Sequence, residues 1–226
     1  MRLKKKAAEI IPALFVDMFG DPATNPKGWQ FVTIGDLVHA AQDGPHVSPS
    51  YVDNGIPFIS TRHVKRGQVF FQDLKFLSLQ EAEIQWKKCK PVKGDILYTK
   101  GGTTGIAAEI DFDKEIAVWV HVALLKTNHA IVSPTWLESM LNSDFCYQQS
   151  QELTHGIANR DLGLKRMVKI KAYLPPIELQ RQFARSVKDI KSIQTQQATA
   201  TQKAEATFNA LLASFFSQPL AEGVTV

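Results

Sequence analysis

Side chains that carry positive charge or donate hydrogen bonds are concentrated in three short segments: TRHVKRG at 61–67, TKGGTTG at 99–105 and HGIANRDLGLKRM at 155–167. Arginine can donate to two acceptors on guanine, asparagine can donate to one adenine atom and accept from another, and lysine pairs with phosphate. Each segment alone is more typical of a solvated turn, but three of them on one domain predict contacts to nucleic acid. The candidate residues are Arg62, His63, Lys65, Arg66, Lys100, Thr103, Thr104, His155, Asn159, Arg160, Lys165 and Arg166.

The charge distribution supports the same interpretation. The chain has a formal net charge of +4 and a pI near 9.0, which is only mildly basic. Five basic residues and one acid, Asp161, lie between His155 and Ile177. A concentrated basic segment suits a phosphate backbone, and a solvated charged face is the alternative.

Motifs for catalysis or metal binding are weak. The glycine-rich segment GGTTG at 101–105 is not followed by the Lys-Ser or Lys-Thr of a phosphate-binding loop. The chain contains no GxSxG or HExxH motif, and Cys89 and Cys146 lack metal-ligand spacing. We therefore expect no catalytic residue, no metal site and no cofactor in this chain. A metal nuclease that uses Asp95 and nearby groups is the open alternative.

Composition predicts a folded protein without a membrane span. The 226 residues are 44% hydrophobic and 21% charged. The basic start MRLKKK resembles a signal peptide, but Glu9, Pro12 and Asp17 interrupt the apolar run that follows it. We expect a cytoplasmic location, in which both cysteines remain thiols.

Residues 21–174 predict a compact globular domain. Short β-favouring runs such as GIPFIS, GDILYTK and AVWVHVALLKT alternate with turn dipeptides. One helical stretch is predicted at 134–153, with Trp136, Met140, Leu141 and Phe145 on one face. The predicted fold class is α+β: a mixed α/β domain followed by a long C-terminal coiled-coil helix.

The long helix is predicted over 175–217. Apolar and small positions recur there at alternating spacings of four and three residues, the heptad pattern of a helix that packs against another helix. Prolines at 175 and 176 suit its first turn. A helix that lies on its own globular domain is the alternative. The predicted seam consists of Phe183, Val187, Ile190, Gln194, Gln197, Thr201, Ala204, Phe208, Leu211 and Phe215.

Two similar ten-residue segments, which we call the repeated segment, lie near the two ends of the chain. ALFVDMFGDP at 13–22 and ALLASFFSQP at 210–219 share four identical positions without a gap. This similarity predicts that residues 1–20 form the end of a helix like the long one, with 218–226 as a flexible tail. Two unrelated amphipathic helix ends are the alternative reading.

The order of several motifs resembles a known family. DGPHVSPSYVDNGIPFIS, KPVKGDILYTKGGTTGIAA and HGIANRDLGLKRMVKIKAYLPPIELQRQFA are followed by a long helix. They are similar to the target-recognition domain and helical region of type I restriction-modification specificity subunits. LPPIELQRQFA is the most specific of these motifs, and the resemblance covers nearly the whole chain.

The resemblance implies a non-catalytic subunit that binds one half of a bipartite double-stranded DNA site. It also implies DNA methyltransferase (modification) and restriction subunits as partners, with S-adenosylmethionine bound to the modification subunit. Family members usually carry two recognition domains, whereas this chain shows one. We therefore expect a half-subunit that forms a homodimer through antiparallel long helices. A DNA-cleaving enzyme and a coiled-coil protein adaptor remain the alternatives.

Overall fold

The computed structural model describes residues 2–157 and 159–216. The chain divides into two compact units, the first ending at Arg185 and the second beginning at Ser186. The first unit mixes short helices with four small sheets, so the predicted α+β class is confirmed. The tail predicted for 218–226 lies outside the described residues.

Along the chain, the strands are β1 Gln30–Thr33, β2 Val38–Asp43, β3 Ile56–Ile59, β4 Val64–Lys65, β5 Gln68–Val69, β6 Lys75–Leu77, β7 Ile96–Gly101, β8 Thr103–Glu109, β9 Ala117–Val118, β10 Val122–Thr127 and β11 Lys171–Leu174. The helices are α1 Arg2–Phe19, α2 Ile34–Leu37, α3 Leu79–Trp86, α4 Pro134–Leu141, α5 Asp144–Glu152, α6 Leu164–Met167 and α7 Ile177–Phe216.

The largest sheet is antiparallel and has the strand order β2-β10-β7-β8. Strands β7 and β10 are buried over most of their length; β10 begins with four apolar residues, and β7 begins with Ile96, Leu97 and Tyr98 before the polar residues Thr99 and Lys100. A three-stranded sheet, β6-β3-β9, pairs β3 in parallel with β9. Two small antiparallel pairs, β1-β11 and β4-β5, complete the domain.

A cluster of five aromatic rings forms part of the core of the first unit. Phe15 and Phe19 of α1 pack against Trp136 of α4, Tyr173 of β11 and Phe183 of α7, with ring centroids 5.0–6.5 Å apart. All five rings are buried. The first copy of the repeated segment, at 13–22, therefore contributes Phe15 and Phe19 to the core of this domain.

The helix predicted over 134–153 is two helices in the structure. Helix α4 ends at Leu141, and α5 begins after Ser143, whose hydroxyl accepts a hydrogen bond from the Cys146 amide at 3.3 Å. A serine in this role starts a helix and competes with continuation of the preceding one. The single predicted helix was therefore wrong at 142–143.

Helix α7 begins directly after Pro175 and Pro176. Gln180, which is buried, accepts a hydrogen bond from the Ser133 amide at 2.9 Å and donates one to the Pro175 carbonyl at 2.8 Å. These bonds satisfy backbone groups next to the start of the helix. The LPPIELQ sequence thus fixes where the long helix leaves β11.

Candidate nucleic-acid interface

The β7–β8 hairpin forms the first part of the candidate interface. Its turn is tight, since Gly101 pairs with Thr103 and Gly102 lies between them at φ +68°. A side chain on Gly101 would place its Cβ 2.1 Å from Nδ1 of His121, so only glycine fits there. Gly102 and Thr103 are exposed at the tip, where backbone and hydroxyl groups are accessible to a partner.

The second part is the loop from His155 to Asp161. These two residues close the loop by exchanging backbone hydrogen bonds: the His155 amide donates to the Asp161 carbonyl at 2.9 Å, and the reverse bond is 2.8 Å. The exposed side chains that the structure describes between them include Asn159 and Arg160. Ile157 is fully exposed, at 101% of its reference area.

Backbone hydrogen bonds join this loop to the hairpin. The Gly102 amide donates to the Arg160 carbonyl at 2.9 Å, and the Leu162 amide donates to the Lys100 carbonyl at 2.7 Å. Two segments separated by more than fifty residues in sequence therefore share one surface. We call this surface the paired-loop surface; it comprises Gly102, Thr103, His155, Ile157, Asn159 and Arg160.

A network of charges lies behind the paired-loop surface. The Nζ atom of Lys100 is 3.4 Å from Oδ2 of Asp43 and 3.4 Å from Oδ1 of Asp161. Oδ2 of Asp161 is also 3.1 Å from Nη2 of Arg166. Lys100 and Asp43 are buried, whereas the side chain of Asp161 is half exposed.

The same network sets the ionisation of Asp43. Burial alone would raise the pKa of its carboxyl group, but the hydrogen bond and charge of Lys88, together with Lys100, outweigh burial and lower that pKa. Asp43 is therefore a carboxylate at neutral pH. Its negative charge offsets much of the positive charge of Lys100.

Helix α5 supports both loops from one side. The Gln151 side chain donates to the Thr104 carbonyl at 3.2 Å and accepts a hydrogen bond from Nη2 of Arg160 at 2.5 Å. The Thr154 hydroxyl bonds the Thr104 hydroxyl at 3.1 Å. Thr104 is buried by these contacts, whereas Arg160 remains exposed.

The basic segment at 61–67 forms a 3₁₀ turn and the β4–β5 hairpin. His63 is buried, and its Nδ1 atom accepts a hydrogen bond from the Ser60 amide at 2.9 Å. Burial is the main cause that lowers the pKa of His63, and the charge of Arg62 acts in the same direction. His63 is therefore a neutral residue that shapes the turn.

The two arginines of this segment differ in their surroundings. Arg66 donates to the Asn142 carbonyl and lies over the Tyr147 ring, 5.0 Å from its centroid, which ties the hairpin to α4 and α5. Arg62 and Lys65 are exposed. They are the two basic side chains of the segment best placed to reach a phosphate.

The structure separates the twelve predicted residues by exposure. His63, Lys100 and Thr104 are buried, and Arg166 is partly buried, with Nε donating to the Leu153 carbonyl at 2.9 Å. The remaining eight are exposed: Arg62, Lys65, Arg66, Thr103, His155, Asn159, Arg160 and Lys165. Contact with DNA remains a prediction for all twelve.

Some residues of the site were not predicted from the sequence. Ile157 lacks the polar groups that drew attention to its neighbours, and Asp43 lies more than fifty residues from Lys100 in the chain. Asp161 did carry a signal, since it is the single acid in the basic segment 155–177. An isolated carboxylate among cations indicates an internal ion pair as readily as a turn.

Comparison with known proteins identifies the family. The model of the type I restriction modification DNA specificity domain matches residues 26–206, which covers most of the chain. The chain belongs to this family. The predicted resemblance is therefore confirmed.

The individual relatives are distant and longer. The chain is 25% identical over 172 residues to the type I restriction enzyme EcoBI specificity subunit of Escherichia coli, covering 73% of this chain and 35% of that protein. The HsdS subunit from Thermoanaerobacter tengcongensis has a similar fold, with a TM-score of 0.55, 18% identity and coverage of 90% of this chain and 46% of that one.

A type I restriction-modification system S subunit from M. genitalium also has a similar fold, with a TM-score of 0.53 and 14% identity. The match covers 97% of this chain and 54% of that one. The chain thus spans about a third to a half of the length of these relatives.

Three further properties concern metal binding, membrane insertion and the cysteines. Among residues 2–157 and 159–216, no cluster of three or more His, Cys, Asp or Glu side chains is arranged to hold a metal ion. Over the same residues, no helix has the length and apolar character needed to cross a membrane. Cys89 and Cys146 are free thiols, and burial raises the pKa of each to about 12.

Proposed function

We propose that this chain selects the DNA sequence for a type I restriction-modification complex and does not itself catalyse methylation or cleavage. Family membership supports the DNA-specificity role. The observation that carries the proposal is the paired-loop surface, in which two segments distant in sequence expose hydrogen-bonding side chains side by side.

The side chains of this surface are suited to reading base edges. Asn159 can bond adenine through two atoms, Arg160 can do the same with guanine, and the Thr103 hydroxyl can donate or accept. Such contacts specify a sequence, whereas phosphate contacts fix position without reading it. We assign the phosphate role to Arg62, Lys65 and Lys165, whose charged ends are exposed.

Because this chain supplies neither methylation nor cleavage in the proposed complex, other subunits must supply these two activities. A modification subunit that binds S-adenosylmethionine would supply the methyl transfer, and a restriction subunit would supply cleavage. We propose that both assemble on this chain when it is bound to its half of a bipartite site. The nuclease and adaptor alternatives are not favoured, because the family match covers the domain that carries the paired-loop surface.

We further propose that α7 pairs with the α7 of a second copy in antiparallel orientation. Every residue of this helix from 195 to 216 is exposed, including the seam residues Phe208, Leu211 and Phe215 at 61–74%. Exposed apolar residues at heptad spacing are stabilised by a partner helix. Two copies related by a two-fold axis would read an inverted repeat with unread bases between its halves.

A selection experiment tests the DNA-specificity role. The chain, assembled with the modification subunit of its host, is mixed with duplexes of random sequence, and the bound duplexes are sequenced. We expect enrichment of one split sequence. Equal binding of all duplexes by an assembled complex would contradict the proposal.

A further inference from the structure

Asp161 is unusual because all of its polar atoms are engaged where the two loops meet. Its amide and carbonyl close the loop with His155. Its Oδ1 atom lies 3.4 Å from Nζ of Lys100 in the hairpin, and its Oδ2 atom lies 3.1 Å from Nη2 of Arg166 at the start of α6. The same Arg166 nitrogen also donates to the Asp161 carbonyl at 2.9 Å.

We propose that Asp161 is a positioning residue that fixes the paired-loop surface in the shape that reads DNA. Lys100 and Arg166 would then act through Asp161 and would not touch the DNA. This inference rests on the proposed function, because it assigns roles within the same surface.

The charges of the network support an internal role for Lys100. Its side chain is 7% exposed, and its ammonium group lies between two carboxylates, those of Asp43 and Asp161. A lysine held in this way contributes little net positive field at the surface. The guanidinium of Arg166 is likewise committed, since it donates to the Leu153 carbonyl, the Asp161 carbonyl and the Asp161 carboxylate.

The fully exposed Ile157 is the residue that most requires a fixed loop. An apolar side chain held in water favours transfer to an apolar partner, and in the major groove the thymine methyl group provides one. Such a contact discriminates between bases only if the side chain is placed reproducibly. Asp161 closes the loop that carries Ile157. A looser loop should therefore weaken discrimination between DNA sequences more than it weakens affinity for DNA of any sequence.

The test is Asp161→Asn, which preserves the size of the side chain and removes its charge. Binding of the assembled complex is measured with a duplex selected by the wild-type complex and with the same duplex scrambled in one half. We expect the preference for the selected duplex to fall about ten-fold, the loss of roughly one base contact. Binding to the scrambled duplex should not fall, because the variant removes a negative charge next to Lys100 and Arg166 and no contact to phosphate.

The matched control is Asp113→Asn, the same chemical change at an exposed carboxylate that pairs with Lys93. It should leave both affinities unchanged. Arg166→Lys keeps the positive charge and loses the forked contacts, so it should reduce discrimination in the same direction. If neither the Asp161 nor the Arg166 variant alters discrimination, or if both duplexes lose affinity equally, the positioning role is wrong.

A second readout does not depend on DNA. Hydrogen exchange of the His155 and Gly102 amides in the free protein should become faster in Asp161→Asn, while amides of β10 keep their protection. Unchanged exchange at these two amides would overturn the inference. A wild-type complex that selects no sequence would instead contradict the proposed function, so the two failures are distinguishable.

Discussion

Lys100 and Asp43 face each other in the interior of the first unit, with Nζ 3.4 Å from Oδ2. The pair joins the two strands β7 and β2, which are separated in the sheet by β10. A lysine that the sequence grouped with exposed basic residues is thus part of the internal charge network. Its contribution to DNA recognition is expected to be indirect.

We predict that Asp43→Asn makes the free energy of unfolding less dependent on pH in the acidic range. Because the pKa of Asp43 is lowered in the folded state, its stabilisation is present above the unfolded pKa of about 3.9 and is lost as the pH falls through the folded pKa. The free energy of unfolding of the variant should be about 3 kcal/mol lower than that of the wild type at pH near 7, because Lys100 loses a buried partner.

Urea unfolding of both proteins at several pH values checks this prediction. The difference between wild type and variant should begin to narrow below about pH 4, where Asp43 of the unfolded chain takes up a proton, and should continue to narrow until the folded carboxylate is protonated at its lowered pKa. A difference that stays constant over this range would show that the charge of Asp43 does not stabilise the fold.

We predict that Phe183→Ala destabilises the first unit by about 3–5 kcal/mol, the usual cost of removing a buried aromatic ring. The Phe183 ring is fully buried and lies 5.4 Å from Phe19 and 5.6 Å from Phe15 between centroids. Phe208→Ala on the same helix is the control, because Phe208 is 61% exposed. Chemical denaturation of dilute protein should show a large loss for the first variant only.

We predict that Leu211→Ser weakens self-association at least ten-fold without altering the fold of the monomer. Leu211 occupies the predicted heptad seam and is 63% exposed, so a partner helix would cover it. Leu212→Ser, the same change one residue away and off the seam, is the matched control. Sedimentation velocity over a range of concentrations measures the effect, and equal weakening by both variants would argue against the proposed seam.

We predict that Arg62→Gln reduces the salt dependence of DNA binding. The slope of log K against log salt concentration is negative, and each phosphate contact that is lost makes it less steep by about 0.9. Affinity for selected and scrambled duplexes should fall equally, because phosphate contacts carry no sequence information. Titrations between about 50 and 200 mM salt measure the slope, with Lys93→Gln as an exposed lysine control; a changed base preference would instead assign Arg62 to base reading.

The elements with strong local signals could be predicted from the sequence. Helix α7 combines heptad spacing with prolines directly before it, and all but the last residue of β7 and the whole of β10 lie within the β-favouring runs GDILYTK and AVWVHVALLKT. Helix α3 was not predicted, although Ser78 accepts a hydrogen bond from the Glu81 amide at 3.2 Å at its start. Leu79, Ala82 and Trp86 have helical spacing, and Ser78 and Glu81 fit the S-x-x-E pattern of a helix start, so the sequence does contain a local signal for this helix.

The candidate site was predicted as three segments but not as an arrangement. The sequence identified the hairpin and the loop at 155–161, yet their connection depends on backbone hydrogen bonds between Gly102, Arg160, Leu162 and Lys100. Contacts between residues far apart in the chain leave no periodic pattern in the sequence. For the same reason the burial of Lys100 between Asp43 and Asp161 could not be predicted.

We propose that this chain determines which DNA sequence is modified. The most direct test is to express it with the modification subunit of its host and map methylated adenines across the genome by single-molecule sequencing. We expect methylation at a split motif that disappears when the chain is omitted, and a palindromic motif if two copies assemble symmetrically. An assembled complex that is supplied with methyl donor and methylates no defined motif would contradict this proposal.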